Sequence, residues 1–396
     1  MREFHLPVWL GAAPVSHAMV FALLFFIESI ARTILLTVVP LQAYRVLGDA
    51  QRVSLLYFGA GLVGIAGSLT IPWLVRRLRR RRVFSLGVLA MALAAVMFTR
   101  EDTLGLAAGL ALMAFATSCL GIAMNLYVMD HIQRRDLNRF EPMRMFLSAS
   151  AWAVGPWLGV WLAANVQASA PFVLTMASSA ATLGFFWYLR LTDNPAVASA
   201  PLRSPNPMRY LPRFFGQPRL RLAWILAVGR SGWWQLFYVY GPIYAVSNGF
   251  SDVEGGAIVS VGSAALFLVP LWGWLGRRYG LRRLLVASYG FAGILTMAVA
   301  AMSDMPWLGI VLIVGAALGA SGVDGGGNVP FLRAVRPLER AEMTTVYMTY
   351  RNASQLGPPA IYAFLLRTFE LPAVFIAGGA MTLAMAWLSR YIPRRM

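Results

Sequence analysis

The sequence predicts an all-α integral membrane protein with twelve transmembrane helices in two pseudo-symmetric six-helix bundles. Three observations carry this prediction. First, 59% of the 396 residues are hydrophobic and only 13% are charged, about half the charge of a typical soluble chain. The apolar share, 59% of 396 or about 234 residues, is close to the roughly 240 that twelve spans of about 20 residues require. Second, the basic residues gather in short clusters between apolar runs. Third, residue patterns in the first half return in the second at a nearly constant offset.

The composition also excludes function classes. A soluble globule could not bury 13 Trp, 23 Phe and 19 Met in a chain of this size, which excludes a soluble enzyme. The net charge of +18 would suit a nucleic-acid binder, but its distribution marks loops rather than a binding face. Cys119 is the only cysteine and lies in an apolar run, so neither a disulfide framework nor a Cys-based metal site is available. His5, His17 and His131 are the only histidines, and none has a metal-ligand spacing to another. The expectation is no catalytic residue, no metal and no cofactor.

Apolar runs bounded by charge, Pro or Gly give the spans in order. The first six fall at about 18–40, 53–75, 83–99, 104–129, 144–166 and 171–191. The first run is too long for the h-region of a signal peptide and reads as a retained helix. The last six fall at about 221–247, 253–276, 282–302, 306–332, 343–366 and 371–391. Between the two sets, Leu191 to Arg219 holds six Pro and reads as a linker. The expected domains are therefore 1–191, a linker over 192–219, and 220–396.

Orientation follows from Arg alone, because all 34 basic residues are Arg. With the N-terminus inside, the inner segments hold 27 Arg. The outer segments hold four: Arg45, Arg52, Arg100 and Arg367. This asymmetry puts both termini in the cytoplasm. The absence of Lys suggests a GC-rich bacterial genome and hence the bacterial inner membrane. The remaining three, Arg32, Arg230 and Arg351, lie within spans.

The halves repeat residue by residue. Trp73, Arg76 and Arg77 match Trp274, Arg277 and Arg278 at an offset of 201, as Arg81-Arg82 match Arg282-Arg283. Gly155-Pro156 match Gly357-Pro358 at 202, Arg134 matches Arg336, and Pro40 matches Pro242. Such recurrence indicates a duplicated six-helix unit.

Twelve spans in two related halves resemble the major facilitator superfamily. The segment Gly273-Trp274-Leu275-Gly276-Arg277-Arg278-Tyr279-Gly280-Leu281-Arg282-Arg283 is similar to that family's short cytoplasmic loop signature. The copy between spans 2 and 3 has Pro72 and Arg79 where the signature has glycine. In both copies Arg76 and Arg277 replace the family's Asp, which helps lock the cytoplasmic side. By this resemblance Arg76, Arg77, Arg277, Arg278 and Gly280 are expected to form cytoplasmic gate loops. Gly155-Pro156-Trp157-Leu158-Gly159 resembles the Gly-Pro core of the family's antiporter motif. That motif's earlier glycines are absent, and Thr117 stands where drug–proton antiporters carry Arg.

Charges inside spans cost roughly 2.5–3.5 kcal/mol each on insertion scales, so each needs a reason. Glu28 and Arg32 are one turn apart on span 1 and share a face. Glu28 and Arg230 occupy equivalent places in the repeat. Asp324 is expected to pair with Arg351 or Arg230. Simple neutralisation that holds helices together is one reading of these charges. The functional reading makes Glu28 and Asp324 proton carriers, released from their Arg partners during a conformational change. Three Arg against two acids leave one positive charge over, which favours an anionic substrate group. Around them, Asn125, Trp234 and Tyr347 join Arg32, Arg230 and Arg351 as residues expected to line a substrate cavity. Gly315, Gly319, Gly322 and Gly325 to Gly327 accompany Asp324 and Asn328. They provide either close helix contact or a local unwinding.

The expected function is secondary active transport by alternating access, as proton-coupled export of a small amphipathic organic compound. One alternative is an uptake permease or facilitator for a small organic anion. Another is a non-transport protein on the same fold. The expected partners are a small-molecule substrate, protons and the lipid bilayer, without nucleic acid, in a chain taken as a monomer.

Overall fold

The structure, a computed structural model, describes residues 17–131, 137–189, 207–335 and 340–393. Among these the regular structure is helical, with no strand. Nine helical stretches among the described residues are long and apolar enough to cross a membrane. The other expected spans fall on helices too. Residues 53–75 lie in the first part of a long helix, and 221–247 within Pro218–Ser247. Residues 343–366 cover the pair Arg340–Tyr347 and Tyr350–Leu365. Pro218–Ser247 is less apolar because Arg230, Gln235 and a run of Trp and Tyr interrupt it.

The chain divides into two compact units, residues 1–42 with 59–202 and residues 43–58 with 203–396. The helices that build the first unit are α1 (His17–Thr33), α2 (Leu35–Leu47) as far as Gln42, α3 (Ala50–Phe98) from Gly59 onward, α4 (Thr103–His131), α5 (Leu137–Asn165) and α6 (Ala170–Tyr188). Span 1 was expected to end near residue 40, but α1 and α2 together carry it to Leu47. Pro40 is tolerated inside α2, where it removes one ladder donor without ending the helix. The interruption falls at Ile34 instead. There the buried Thr33 hydroxyl donates to the Ser29 carbonyl at 2.9 Å, a back-bond that bends helices.

Spans 2 and 3 were expected to be separated by a loop over 76–82. The chain instead runs helically from Ala50 to Phe98 and turns at Arg79, with φ 66° and ψ 152°. The core of this unit gathers Phe21, Leu24, Phe84, Leu120, Tyr127 and Phe186. The Phe84 and Phe186 rings stack with centroids 4.0 Å apart.

The second unit is built from α7 (Pro207–Phe215), α8 (Pro218–Ser247), α9 (Asp252–Ala264), α10 (Val269–Tyr279), α11 (Leu281–Ala298), α12 (Pro306–Gly326), α13 (Val329–Ala334), α14 (Arg340–Tyr347), α15 (Tyr350–Leu365) and α16 (Pro372–Ser389). Residues 43–58 are fastened to it by two polar contacts. Arg45 Nη2 lies 3.3 Å from Asp252 Oδ2, and the Ser54 and Tyr240 hydroxyls are 2.7 Å apart.

Small residues set the spacing in this unit. A Cβ on Gly319 would meet the Ala292 backbone nitrogen at 2.8 Å, and one on Gly326 would meet Leu285 Cδ2 at 2.8 Å. Gly319 and Gly326 therefore serve close contact with α11, and Gly325, whose Cβ would overlap Trp272, serves contact with α10. Unwinding is confined to Gly327, at φ 46°, after which Asn328 starts α13. Exposed large apolar residues such as Leu89, Leu93, Phe291 and Ile294 sit on helix faces, as expected where hydrocarbon replaces water.

Candidate functional site

In the second unit the intramembrane polar residues converge. Arg230 Nε lies 3.6 Å from Asp324 Oδ1, with the two side chains only 12% and 21% exposed. Trp234, one turn after Arg230 on α8, donates its Nε1–H to Asp324 Oδ2 at 2.7 Å. Arg230 Nη2 also donates to Asn328 Oδ1 at 3.1 Å, and the Tyr347 hydroxyl donates to the same oxygen at 3.1 Å. The break at Gly327 brings Asn328 to this position. Of the two partners the sequence offers Asp324, the ion pair is formed with Arg230.

Tyr350 links the second half of the cluster. Its hydroxyl accepts from Arg230 Nη2 and from Arg351 Nε, each at 3.4 Å. Its ring lies under both guanidiniums, at 5.7 Å and 6.0 Å. Tyr347 is buried and stacks on Phe331 with centroids 4.1 Å apart. Arg351 is exposed. Span 11 was expected to be continuous, so that Tyr347 and Arg351 shared a face. It is interrupted at Met348 and Thr349, and Tyr350 stands between the two. Trp234 stacks on Tyr238 with centroids 5.4 Å apart, giving the cluster an aromatic wall.

In the first unit, Glu28 and Arg32 pair at 3.4 Å with the carboxylate 7% and the guanidinium 32% exposed. Arg32 also lies 5.5 Å from the Trp152 ring centroid, while its Nε is buried without a hydrogen-bond partner. The Gly-Pro core explains how Trp152 reaches this pair. A Cβ on Gly155 would overlap the Thr33 side chain, and one on Gly159 would overlap the Ile34 carbonyl oxygen. Helix α5 therefore approaches span 1 at its break, within two residues of Arg32.

The residues expected in the gate loops lie on helices instead, Arg76 and Arg77 within α3 and Arg277 and Arg278 in the last turn of α10. Arg77 and Arg278 pair alike in the two repeats. Arg77 lies 5.4 Å from the Trp73 ring and Arg278 lies 5.3 Å from the Trp274 ring. Arg77, Arg277 and Arg278 are exposed. Gly280 joins α10 to α11 with φ 95° and ψ 136°. Asn125 and Arg76 lie on helices, but their side chains fall outside the described residues. Sequence reasoning left Trp152 unnoticed, and it passed over Tyr350 and Asn328 as site residues. Only the adjacency of Tyr350 to Arg351 and the spacing of Asn328 from Asp324 signalled the latter two. Among the described residues no group of three or more His, Cys, Asp or Glu could hold a metal.

The chain matches the Major Facilitator Superfamily over residues 21–356. Its fold is similar to that of the nucleoside transporter NupG, with 15% identity and a TM-score of 0.75 over 96% of this chain and 99% of that one. A peptide transporter POT in complex with sulfate matches with 14% identity and a TM-score of 0.74 over 94% and 93%. A POT family transporter in complex with 5-aminolevulinic acid gives 11% and 0.74 over 93% and 94%. No curated protein matches the sequence. At these identities the likeness is one of fold. The family match covers most of the chain: the protein belongs to the Major Facilitator Superfamily and is a multi-pass membrane secondary transporter, not an enzyme.

Proposed function

We propose that this transporter couples proton movement to the export of a small amphipathic organic compound carrying an anionic group. The observation that carries the reading is the Arg230–Asp324 pair at 3.6 Å, with Trp234 on the carboxylate and Arg351 left exposed without an acidic partner in the cluster. Beside the guanidinium the carboxylate's charge is compensated. Withdrawing the guanidinium in a low-dielectric site leaves a charge too costly to keep, and the carboxylate takes up a proton. Glu28 with Arg32 has the same form. Glu28 and Asp324 are the proposed proton carriers, and Arg351 the group that meets the substrate anion.

The stacked Trp234 and Tyr238 suit a ring or apolar body. The similar solved structures are of a nucleoside transporter, a peptide transporter and a POT family transporter in complex with 5-aminolevulinic acid, and nucleosides, peptides and 5-aminolevulinic acid are all small organic compounds. Export is the proposed direction because Gly155-Pro156 and Gly159 resemble an antiporter core. The proposed arrangement is two six-helix bundles, 1–191 and 220–396, joined by 192–219. The Arg asymmetry and composition support a place in the bacterial inner membrane with both termini cytoplasmic, and the chain is taken as a monomer.

The test is external pH in lightly buffered proteoliposomes as organic anions, cations and neutral compounds are added. Proton movement with anions, lost in Glu28→Gln or Asp324→Asn while substrate exchange persists, is expected. Unchanged uphill transport in both variants would remove the carboxylates from the mechanism.

A second reading, an anion facilitator, is favoured by both acids being already paired with Arg. Counterflow separates the two. A facilitator shows no pH signal with any substrate, and its KM for anions rises in Arg351→Ala.

A further inference from the structure

One end of the second unit carries a groove of about 710 Å3 lined by Tyr279, Arg282, Arg283, Val286, Ala287 and Arg390. Helix packing builds it. A Cβ on Gly293 would meet Leu383 Cγ at 2.8 Å, and one on Gly379 would meet the Met297 backbone nitrogen at 2.7 Å. Helices α11 and α16 thus run antiparallel almost backbone to backbone. The same register sets Arg390, at the end of α16, opposite Val286, one turn from Arg282.

Three guanidiniums therefore line one groove from two helices. Among the described residues none of the three has an ion pair, a hydrogen bond or an aromatic partner. The first repeat treats the matching place differently. Arg81, 201 residues before Arg282, lies 3.8 Å from the Trp187 ring centroid, and Trp187 Nε1 donates to Ser85 Oγ at 3.0 Å. In the second repeat Val286 replaces that serine, and no ring covers the arginine. Like charges gathered without a protein partner form a site for an anion.

The apolar part of the lining says which anion. Val286 and Ala287 lie one turn along α11 from Arg282 and Arg283, about 5–6 Å further into the span. Exposed Phe291 and Ile294 continue that track. A soluble phosphate uses only the charged end, whereas a phospholipid uses both.

We propose that this groove binds the phosphate of an anionic phospholipid, with an acyl chain lying along Ala287, Phe291 and Ile294. The site is separate from the Arg230–Asp324 cluster and does not depend on the proposed proton coupling.

Native mass spectrometry of the full chain in detergent tests it, with phosphatidylglycerol, phosphatidylcholine and inorganic phosphate as probes. Phosphatidylglycerol is expected to be retained over phosphatidylcholine. Arg283→Gln and Arg390→Gln are each expected to weaken its retention about fivefold. Arg367→Gln, exposed and outside the groove, is expected to leave it unchanged. Equal retention of the two lipids by the wild-type chain overturns the proposal, as does full retention of phosphatidylglycerol in both groove variants. Displacement of the lipid by millimolar inorganic phosphate overturns the lipid assignment in favour of a soluble phosphate.

Discussion

Arg79 and Gly280 hold the same place in the two repeats and adopt the same positive-φ backbone, φ 66° and ψ 152° against φ 95° and ψ 136°. Glycine enters this region freely, whereas a residue with a Cβ pays about 1–3 kcal/mol. The turn is thus a property of the duplicated unit, kept at Arg79 against the residue's own preference. Arg79→Gly is expected to raise the thermal midpoint in detergent, since relief of strain outweighs the roughly 1 kcal/mol of unfolded-chain freedom that glycine adds. Gly280→Ala is expected to lower it by a similar amount. A midpoint unmoved by both substitutions would mean that the turn relaxes at no cost.

The glycines of the Gly-Pro core act through shape. Because a Cβ at Gly159 would overlap the Ile34 carbonyl oxygen, a backbone atom that has nowhere to go, Gly159→Ala is expected to push α5 off span 1. Overpacking of this kind costs about 1–3 kcal/mol. Gly121 has open space around its Cβ position, so Gly121→Ala is the matched control and is expected to be neutral. Unfolding midpoints of the two variants check the difference. If Gly159→Ala matches the control, close approach does not explain this motif.

The spans were legible because hydrocarbon demands long apolar runs, and the repeat because its residues recur at fixed spacing. The site was legible only as an inventory of charges. Periodicity puts Arg230 and Trp234 on one face of α8, and both reach Asp324. It could not find Tyr350 as the link between Arg230 and Arg351, because that depends on the break at Met348 and Thr349. Nor could it bring Asn328 to Arg230, which requires the turn at Gly327. Trp152 meets Arg32 through the approach of α5 to span 1, a tertiary contact with no signature along either helix.

Asp102 supplies a pH-dependent cap outside the spans. Its carboxylate accepts the Gly105 backbone N–H at 2.6 Å at the start of α4 and lies 3.1 Å from Arg100 Nη2. The helix N–H first, and the guanidinium after it, hold this carboxyl below its usual value of 3.8. A depressed folded value stabilises the protein above the unfolded value and ceases to do so as pH falls through the folded one. Asp102→Ala is therefore expected to lower the thermal midpoint at neutral pH, with the gap from wild type closing below about pH 3.8. A gap that persists undiminished in acid would assign the loss to something other than the charged cap.

The Arg230–Asp324 pair is expected to show strong coupling. Asp324→Ala leaves Arg230 with little solvent and no counter-charge, a loss of about 3–5 kcal/mol for a buried pair broken on one side. Asn328 and Tyr350 still accept from Arg230 Nη2, so the loss falls at the lower end of that range. Arg230→Met strands the carboxylate instead, with only the Trp234 N–H remaining on it. The double variant removes both charges and is expected to recover most of the stability lost in either single one. Midpoints of the four proteins close the cycle. Full additivity would show that the two groups do not interact. Coupling with restored stability but no uphill transport in the double variant would show that the pair matters for transport beyond holding helices together.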